Sequence, residues 1–391
     1  MINFFVSKQR SNSIKVVNIC NSKIGYQGNI GLRTAQILRN VIHKDNIISF
    51  SISRSILKKN KNSFTYGILK NIPSLLNSIR VNIFQNFNSK YYDVLLFELF
   101  VLFYLKFIPL HEGDVIHIWE ISPRIIKYLK KKKCKIILDV PIAPHNYRNE
   151  IKNELLTKFS KIQDRKIINN ETFCFNNVDK IIVPSLFVKN EIIKYNVNEN
   201  KVEIIPFGVK PDNFKKKLID KKGIDYCLAG VLNKRKGVQY LLKAWESGNF
   251  SEDRLHLCGK LTPGIKNQIK TMSNNNNIIL PGFIDTAEYF KKCDVYVFPS
   301  LMEGSSKSIY EAMNRSLPII CTKESGSIIK DGIEGFIIEK MSSKDILDKL
   351  LFFKNNNDMI ASMAKKSKAT VSKFTWDLYA KKIIDIYNNL D

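Results

Sequence analysis

Short apolar runs alternate with amphipathic stretches along most of this chain. Ser11–Cys20, Ile47–Ile52, Asp114–Glu120, Lys135–Asp139, Val178–Ser185 and Val202–Val209 each read as a buried strand followed by a turn. Helical patterns fall between them at Leu32–Ile42, Pro123–Lys133, Tyr147–Asn169 and onward from Phe187. Residues 60–92 carry little pattern, and short helices are expected there. Val94–Ile108 is the most apolar stretch; Glu98 and Lys106 interrupt it, and it is shorter than the ~20 residues a membrane span needs. We read it as a helix of an α/β layer, with contact to lipid left open. The Lys-rich stretch Lys210–Lys222 reads as a linker. A second strand series then begins with Tyr226–Gly230, Leu255–Gly259, Ile278–Phe283, Val295–Phe298 and Leu317–Cys321. The chain closes in helices.

One stretch organises the rest. Val295–Phe298 is a short strand, ended by Pro299 because proline cannot donate to a ladder. Glu303-Gly304-Ser305-Ser306 suits a tight loop and a helix start, and Ile309–Met313 is good helix material. Loops at the carboxyl ends of parallel strands are where open α/β sheets bind ligands. The unpaired N–H groups at such a helix start favour an anion. Two acids frame the site, Glu303 in the loop and Glu311 in the helix. Earlier, Gly25, Gly28 and Gly31 follow the first strand and precede a helix, an arrangement that can hold phosphate. The spacing is GxxGxxG instead of GxGxxG, and no acid ends Ile47–Ile52 where a dinucleotide's ribose partner would stand. A turn that needs positive φ accounts for these glycines equally well.

Composition narrows the picture. With 391 residues and 44% apolar content, the chain favours two globular domains. Its seven cysteines are scattered, without CxxC pairs, so no metal site is expected. An odd cysteine count, and an apolar cluster in Met1–Arg10 too short for a secretory signal, suggest a reducing, cytoplasmic compartment. The formal charge of +26 fits an anionic partner, and it fits equally a general preference for Lys, Asn and Ile. Lys130–Lys133 reads first as a solvated face.

The unit Phe298–Ile320 resembles the E-x7-E signature of the retaining glycosyltransferases of family 4. The segment RKGVQYLLKAW around Arg235-Lys236-Gly237, the closing strand IIPFGV, and the turn Asp331–Phe336 resemble the same family. Where that family typically has an Arg earlier in the motif, this chain has Val231, and Arg235 beside Lys236 can restore the charge. The resemblance implies an α/β protein with two Rossmann-like domains facing each other across a cleft, the GT-B fold. It implies an acceptor-side domain at 1–209, a nucleotide-sugar domain at 210–372, and a closing helix at 373–391 that packs back on the first domain. It also implies roles: Glu303 on the donor sugar, Glu311 on the ribose, the Gly304, Ser305 and Ser306 backbone on the diphosphate, and Arg235 with Lys236 neutralising it. Gly25 and Gly28 would approach the donor or acceptor. The family's loop histidine would fall near Asp139-Val140-Pro141; His145 follows a few residues later as the candidate.

The expected activity is transfer of a sugar, with retention, from a nucleotide-diphosphate sugar to a glycan or lipid-linked acceptor. Glu303, His145 and Lys236 are the candidate catalytic residues. The chain holds no DxD triplet, and we expect no cofactor or metal. An anionic membrane surface is the further partner expected, and nucleic acid is not. Two alternatives carry less: an epimerase or phosphorylase on the same plan, and a nucleic-acid-binding protein, which lacks RNP-like, zinc-finger or helix-turn-helix patterns.

Overall fold

The computed structural model describes residues 15–25, 29–40, 47–54, 63–65, 89–155, 161–212, 214, 222–272 and 277–390. Within these, the chain divides into two compact units, one drawn from Met1–Leu138, Asn177–Asp179 and Tyr387–Asp391, the other from Asp139–Asn176 and Lys180–Ile386.

The first unit carries β1 (Val16–Ile24), β2 (Ile47–Arg54), β3 (Ser63–Thr65), β4 (Val115–Ile118) and β5 (Lys135–Asp139). They pair in parallel in the order β3-β2-β1-β4-β5. Chain order reverses between β1 and β4, as in doubly wound sheets. Their apolar side chains, from Val17 and Ile19 to Ile116, Ile118, Ile137 and Leu138, are fully covered, as in strands buried on both faces. Helices Asn29–Asn40, Ser89–Leu105 and Pro123–Lys131 belong to this unit. Tyr128 Oη donates to Leu105 O at 3.3 Å, and the Arg124 guanidinium meets Glu98 Oε2 at 2.8 Å, so the last two helices lie side by side.

The second unit carries β6 (Lys180–Val183) paired with β7 (Val202–Ile204). It also carries a six-stranded parallel sheet of β8 (Asp225–Ala229), β9 (Arg254–Cys258), β10 (Ile278–Gly282), β11 (Val295–Phe298), β12 (Ile319–Thr322) and β13 (Gly335–Ile338). Its order is β10-β9-β8-β11-β12-β13, with the reversal between β8 and β11. Its core joins Tyr226, Leu228, Leu241, Trp245, Tyr296, Phe298, Ile309 and Ile320. Trp245 stacks on Phe250 with ring centres 4.4 Å apart.

The expected strands all appear, Lys135–Asp139 and Val295–Phe298 with the expected ends and the others with shifted ones. β1 runs on to Ile24, past the expected end at Cys20, because pairing with β2 resumes at Lys23 after an irregularity. Ser63–Thr65, in the stretch read as uninformative, adds a strand. The turn read at Asp331–Phe336 gives way to β13 from Gly335. The long segment read as helical from Tyr147 comprises helices His145–Glu150, Lys152–Leu155 and Lys161–Asn176.

His117, on β4, is fully buried, stacked on Trp119 with centroids 4.8 Å apart, with Nδ1 2.7 Å from Tyr387 Oη. Burial, reinforced by the Arg33 charge, pulls its pKa from 6.5 down to about 3. The unfolded chain therefore takes up a proton below pH 6.5 that the folded chain refuses. Stability should fall as pH drops from 6.5 toward 3, by at most about 1.4 kcal/mol per pH unit from this group. Urea denaturation across that range, compared with His117→Gln, checks this: the variant should show the shallower slope.

Candidate active site

The organising loop lies where the sheet order of the second unit reverses, after the carboxyl end of β11 and beside the exit of β8. Both exits are built by tight backbone contacts. After β8, Asn233 caps the short turn Lys234–Lys236, its side chain accepting the Lys236 N–H at 3.1 Å. Gly237 then turns into the left-handed region at φ 68°, and a side chain there would strike Pro299 O. Leu301 N donates to Arg235 O at 2.8 Å, and Ser300 Oγ to the same carbonyl at 3.1 Å. The two loops are thus joined through backbone before any charged group is considered.

The charged groups then converge. Arg235 Nη1 reaches Glu303 Oε1 at 2.8 Å, and Lys236 Nζ reaches the same oxygen at 3.2 Å. Arg235 also donates to Met302 O at 2.5 Å. Lys236 Nζ sits 4.3 Å from the centre of the Phe298 ring, a cation–π contact that supports it from β11. Burial pushes the Glu303 carboxyl up, but the charges of Lys236 and Arg235 outweigh burial and hold it below the usual carboxylate range. Burial pulls Lys236 down from its ordinary value, opposed by Glu303 and aided by Arg235. Two cations on one carboxylate leave the cluster with a positive surplus.

Gly304 carries the loop over a neighbour: a side chain at this position would collide with Pro141 O. Ser185, at the start of helix Leu186–Ile193, donates to Gly304 O at 2.6 Å. Glu303 N donates to Glu324 O at 2.8 Å and Ser306 N to Ser325 O at 3.1 Å. Ser305 Oγ donates to Gly326 O at 2.9 Å. The Ser306 amide, expected to face an anion, is therefore engaged by a carbonyl. Helix Lys307–Asn314 follows, with Ser306 at its start making no side-chain cap. Within it, Glu311 Oε2 accepts from Thr286 Oγ1 at 3.0 Å and Oε1 pairs with Lys307 at 2.8 Å.

His145 has a different setting. Its Nε2 lies 2.7 Å from Asp164 Oδ1, and its N–H is accepted by Glu171 at 3.0 Å. Glu171 also accepts from Tyr195 Oη at 2.7 Å. Pro141, in the loop where the family's histidine would stand, is the residue that abuts Gly304. Gly25 belongs to the other unit; its φ is 85°, and its N–H donates to Gly31 O at 3.1 Å. Gly28 lies outside the described residues. Sequence reading missed Ser185, Ser300, Phe298 and Thr286. Only Ser300 carried a local signal, as a neighbour of Pro299. Among the described residues, no group of three or more His, Cys, Asp or Glu could hold a metal ion.

A doubly wound sheet with two cations and an acid at its reversal point is the arrangement found at the stretch that resembles the glycosyltransferase signature. Residues 209–370 match the family described as glycosyl transferases group 1, and residues 73–213 match glycosyltransferase family 4. The chain belongs to this family of glycosyltransferases. It is 30% identical over 226 residues to an uncharacterised glycosyltransferase of Methanocaldococcus jannaschii, covering 56% of this chain and 62% of that one. It is 23% identical over 321 residues to alpha-monoglucosyldiacylglycerol synthase of Acholeplasma laidlawii, covering 75% and 79%. The Anabaena HepE structure in complex with UDP and glucose matches with a TM-score of 0.66 at 15% identity, over 97% of this chain and 100% of that one.

The Glu171 cluster generates a stability test. Burial raises Glu171 from 4.5 to about 7, against the lowering bonds from Tyr195 and the His145 amide. The folded state then holds a proton that the unfolded state releases above pH 4.5, so stability falls as pH rises from 4.5 through 7. Glu171→Gln removes that proton exchange. Its melting temperature should exceed that of the wild type at pH 8 and match it more closely near pH 4.5; equal melting temperatures at pH 8 would contradict the assignment.

Proposed function

We propose that this glycosyltransferase moves a sugar from a nucleotide-diphosphate donor, with retention at the anomeric carbon, to a glycan or lipid-linked acceptor. The observation that carries the reading is Glu303 held by Arg235 and Lys236 at the reversal point of the six-stranded sheet. Breaking the sugar–phosphate bond leaves negative charge on the diphosphate. Arg235, Lys236 and the start of helix Lys307–Asn314 supply positive charge fixed before the reaction, which is where such charge does most. Arg235, Lys236 and Ser300 all meet the Glu303 carboxylate at Oε1, which leaves Oε2 suited to accept a sugar hydroxyl. Glu311, fixed between Thr286 and Lys307, is suited to the ribose hydroxyls. The donor would then lie mainly on residues 210–372, with residues 1–209 on the acceptor side. His145 is carried in this reading as an acid-paired group, whose ring Asp164 orients.

The solved relative bound to UDP and glucose supports a nucleotide-sugar donor, and the glycolipid-synthase relative supports a lipid-linked acceptor. No described helix is long and apolar enough to cross a membrane. We place the protein in the cytoplasm, held peripherally at an anionic membrane surface.

Hydrolysis of a panel of nucleotide sugars tests the donor class directly: no turnover of any member overturns it. Lys236→Ala should lower kcat by about 10²-fold or more, the loss of one transition-state donor. Near-normal kcat would return Arg235 and Lys236 to a purely structural pair. Glu311→Ala should instead weaken nucleotide binding more than it lowers kcat; calorimetric titration of the nucleotide would show an unchanged Kd if Glu311 has no ribose role.

A further inference from the structure

We propose that Thr286 is a positioning residue that makes the donor site select ribonucleotides over 2′-deoxyribonucleotides, by holding Glu311 so that its carboxylate accepts two adjacent ribose hydroxyls together. The inference rests on the ribose role proposed for Glu311 and adds the residue that enforces it and the nucleotide class that follows. Thr286 Oγ1 donates to Glu311 Oε2 at 3.0 Å, and Lys307 Nζ pairs with Oε1 at 2.8 Å. These two partners differ in what they can fix. Lys307 lies one turn before Glu311 on the same helix, is 52% exposed, and ends in a flexible four-carbon stem, so it neutralises the acid without setting its direction. Thr286 is half-buried and comes from a separate element, the short helix Thr286–Tyr289. Its hydroxyl sits on a β-branched carbon with a stiff χ1, so the backbone decides where that donor stands.

That backbone is held from several directions. Asp285 caps the short helix, its Oδ1 accepting the Ala287 N–H at 2.8 Å. Arg315 Nε donates to Ala287 O at 2.7 Å. Tyr289 Oη lies 2.9 Å from His256 Nδ1 on β9. Arg315 stands four residues after Glu311, so helix Lys307–Asn314 and its C-terminal cap grip the short helix at two points, the Thr286 hydroxyl and the Ala287 carbonyl. A carboxylate offers about four lone-pair sites. Thr286 takes one on Oε2 and Lys307 one on Oε1, which leaves each oxygen able to accept once more. Two acceptors on one fixed carboxylate match hydroxyls on adjacent carbons, the 2′ and 3′ hydroxyls of ribose. A carboxylate free to turn would follow the 3′ hydroxyl alone and lose little with a deoxy sugar. A fixed one leaves an acceptor unmet, and sites built around a hydroxyl reject analogues that lack it. Glu311 keeps 28% of its side-chain surface exposed, so water partly replaces the missing group, and the expected selectivity is about tenfold.

Calorimetric titration of the full chain tests this with nucleoside diphosphates of the four common bases, each beside its 2′-deoxy form. For the base that binds best, the ribonucleotide should bind about tenfold more tightly than its deoxy counterpart. Thr286→Val should weaken the ribonucleotide by about that factor, leave the deoxy form unchanged and so bring the ratio to about one. Thr286→Ser, which keeps the hydroxyl, should restore the ratio. Glu311→Ala should abolish it as well, and adding Thr286→Val to Glu311→Ala should change nothing further, since the two act as a unit. Equal wild-type affinity for both forms overturns the inference whatever the variants do. A ratio retained by Thr286→Val, or both forms weakened alike, overturns the positioning role and leaves Thr286 a structural link between two helices. Diphosphate binding without discrimination leaves the donor reading standing; no diphosphate binding, together with no hydrolysis of the donor panel, overturns that reading and this one with it.

Discussion

The Glu303 carboxylate, placed between Arg235 and Lys236, is the interaction on which the site depends. A buried carboxylate is costly unless it is paired, and breaking such a pair costs about 3–5 kcal/mol because the partner charge stays buried. Here two cations share one oxygen. Neither side can be removed without leaving an uncompensated charge. The backbone explains why the groups can meet. Leu301 bonds to the Arg235 carbonyl, Gly237 lets the β8 exit press on Pro299, and Gly304 lets the next loop press on Pro141. The acid and the cations come from two strands adjacent at the reversal of chain order, where the exits of neighbouring strands splay apart.

Much of this was legible locally. The strand, loop and helix around Glu303 and Glu311 follow from one proline, a run of small residues and an apolar period, all within about one unit of super-secondary structure. Arg235-Lys236-Gly237 was legible because glycine after basic residues at a strand exit has few structural uses. What the sequence hid was long-range. Ser185 reaches Gly304 across 119 residues, and nothing near Ser185 distinguishes it from an ordinary helix cap. The continuation of β1 to Ile24 was hidden for another reason: Asn21, Ser22 and Lys23 break the apolar pattern where the register with β2 shifts. Ser63–Thr65 is a three-residue edge strand, too short for any period to show. His145 was found as a candidate by proximity to the expected loop, but its acid partners, Asp164 and Glu171, lie 19 and 26 residues away on one helix.

The two buried titratable centres oppose each other. His117 excludes a proton that the unfolded chain would take, and Glu171 keeps one that the unfolded chain would release. Their effects on stability run in opposite directions with pH, so each steepens where the other is silent: below 4.5 only His117 still acts, and at about 7 only Glu171 does. Glu171 is also joined to the backbone of His145, so its protonation bears on the start of helix His145–Glu150. That helix carries Tyr147, whose hydroxyl donates to Leu301 O at 3.0 Å, two residues from Glu303. A continuous chain of bonds therefore links the Glu171 cluster to the organising loop.

Many of the described elements obey simple rules, with apolar side chains covered on the strands and on the inner faces of the helices. The departures that matter here sit at the candidate site. Lys236 and Glu303 are charged and mostly buried. Each departure is unfavourable in the isolated protein, and local consistency is what a sequence under pressure for stability alone retains. The buried pair keeps its cost down with a second cation, and the surplus positive charge is left for an anion to neutralise. The cluster thus points to an anion as its missing partner, which the proposed function makes a diphosphate at the reversal of the second sheet.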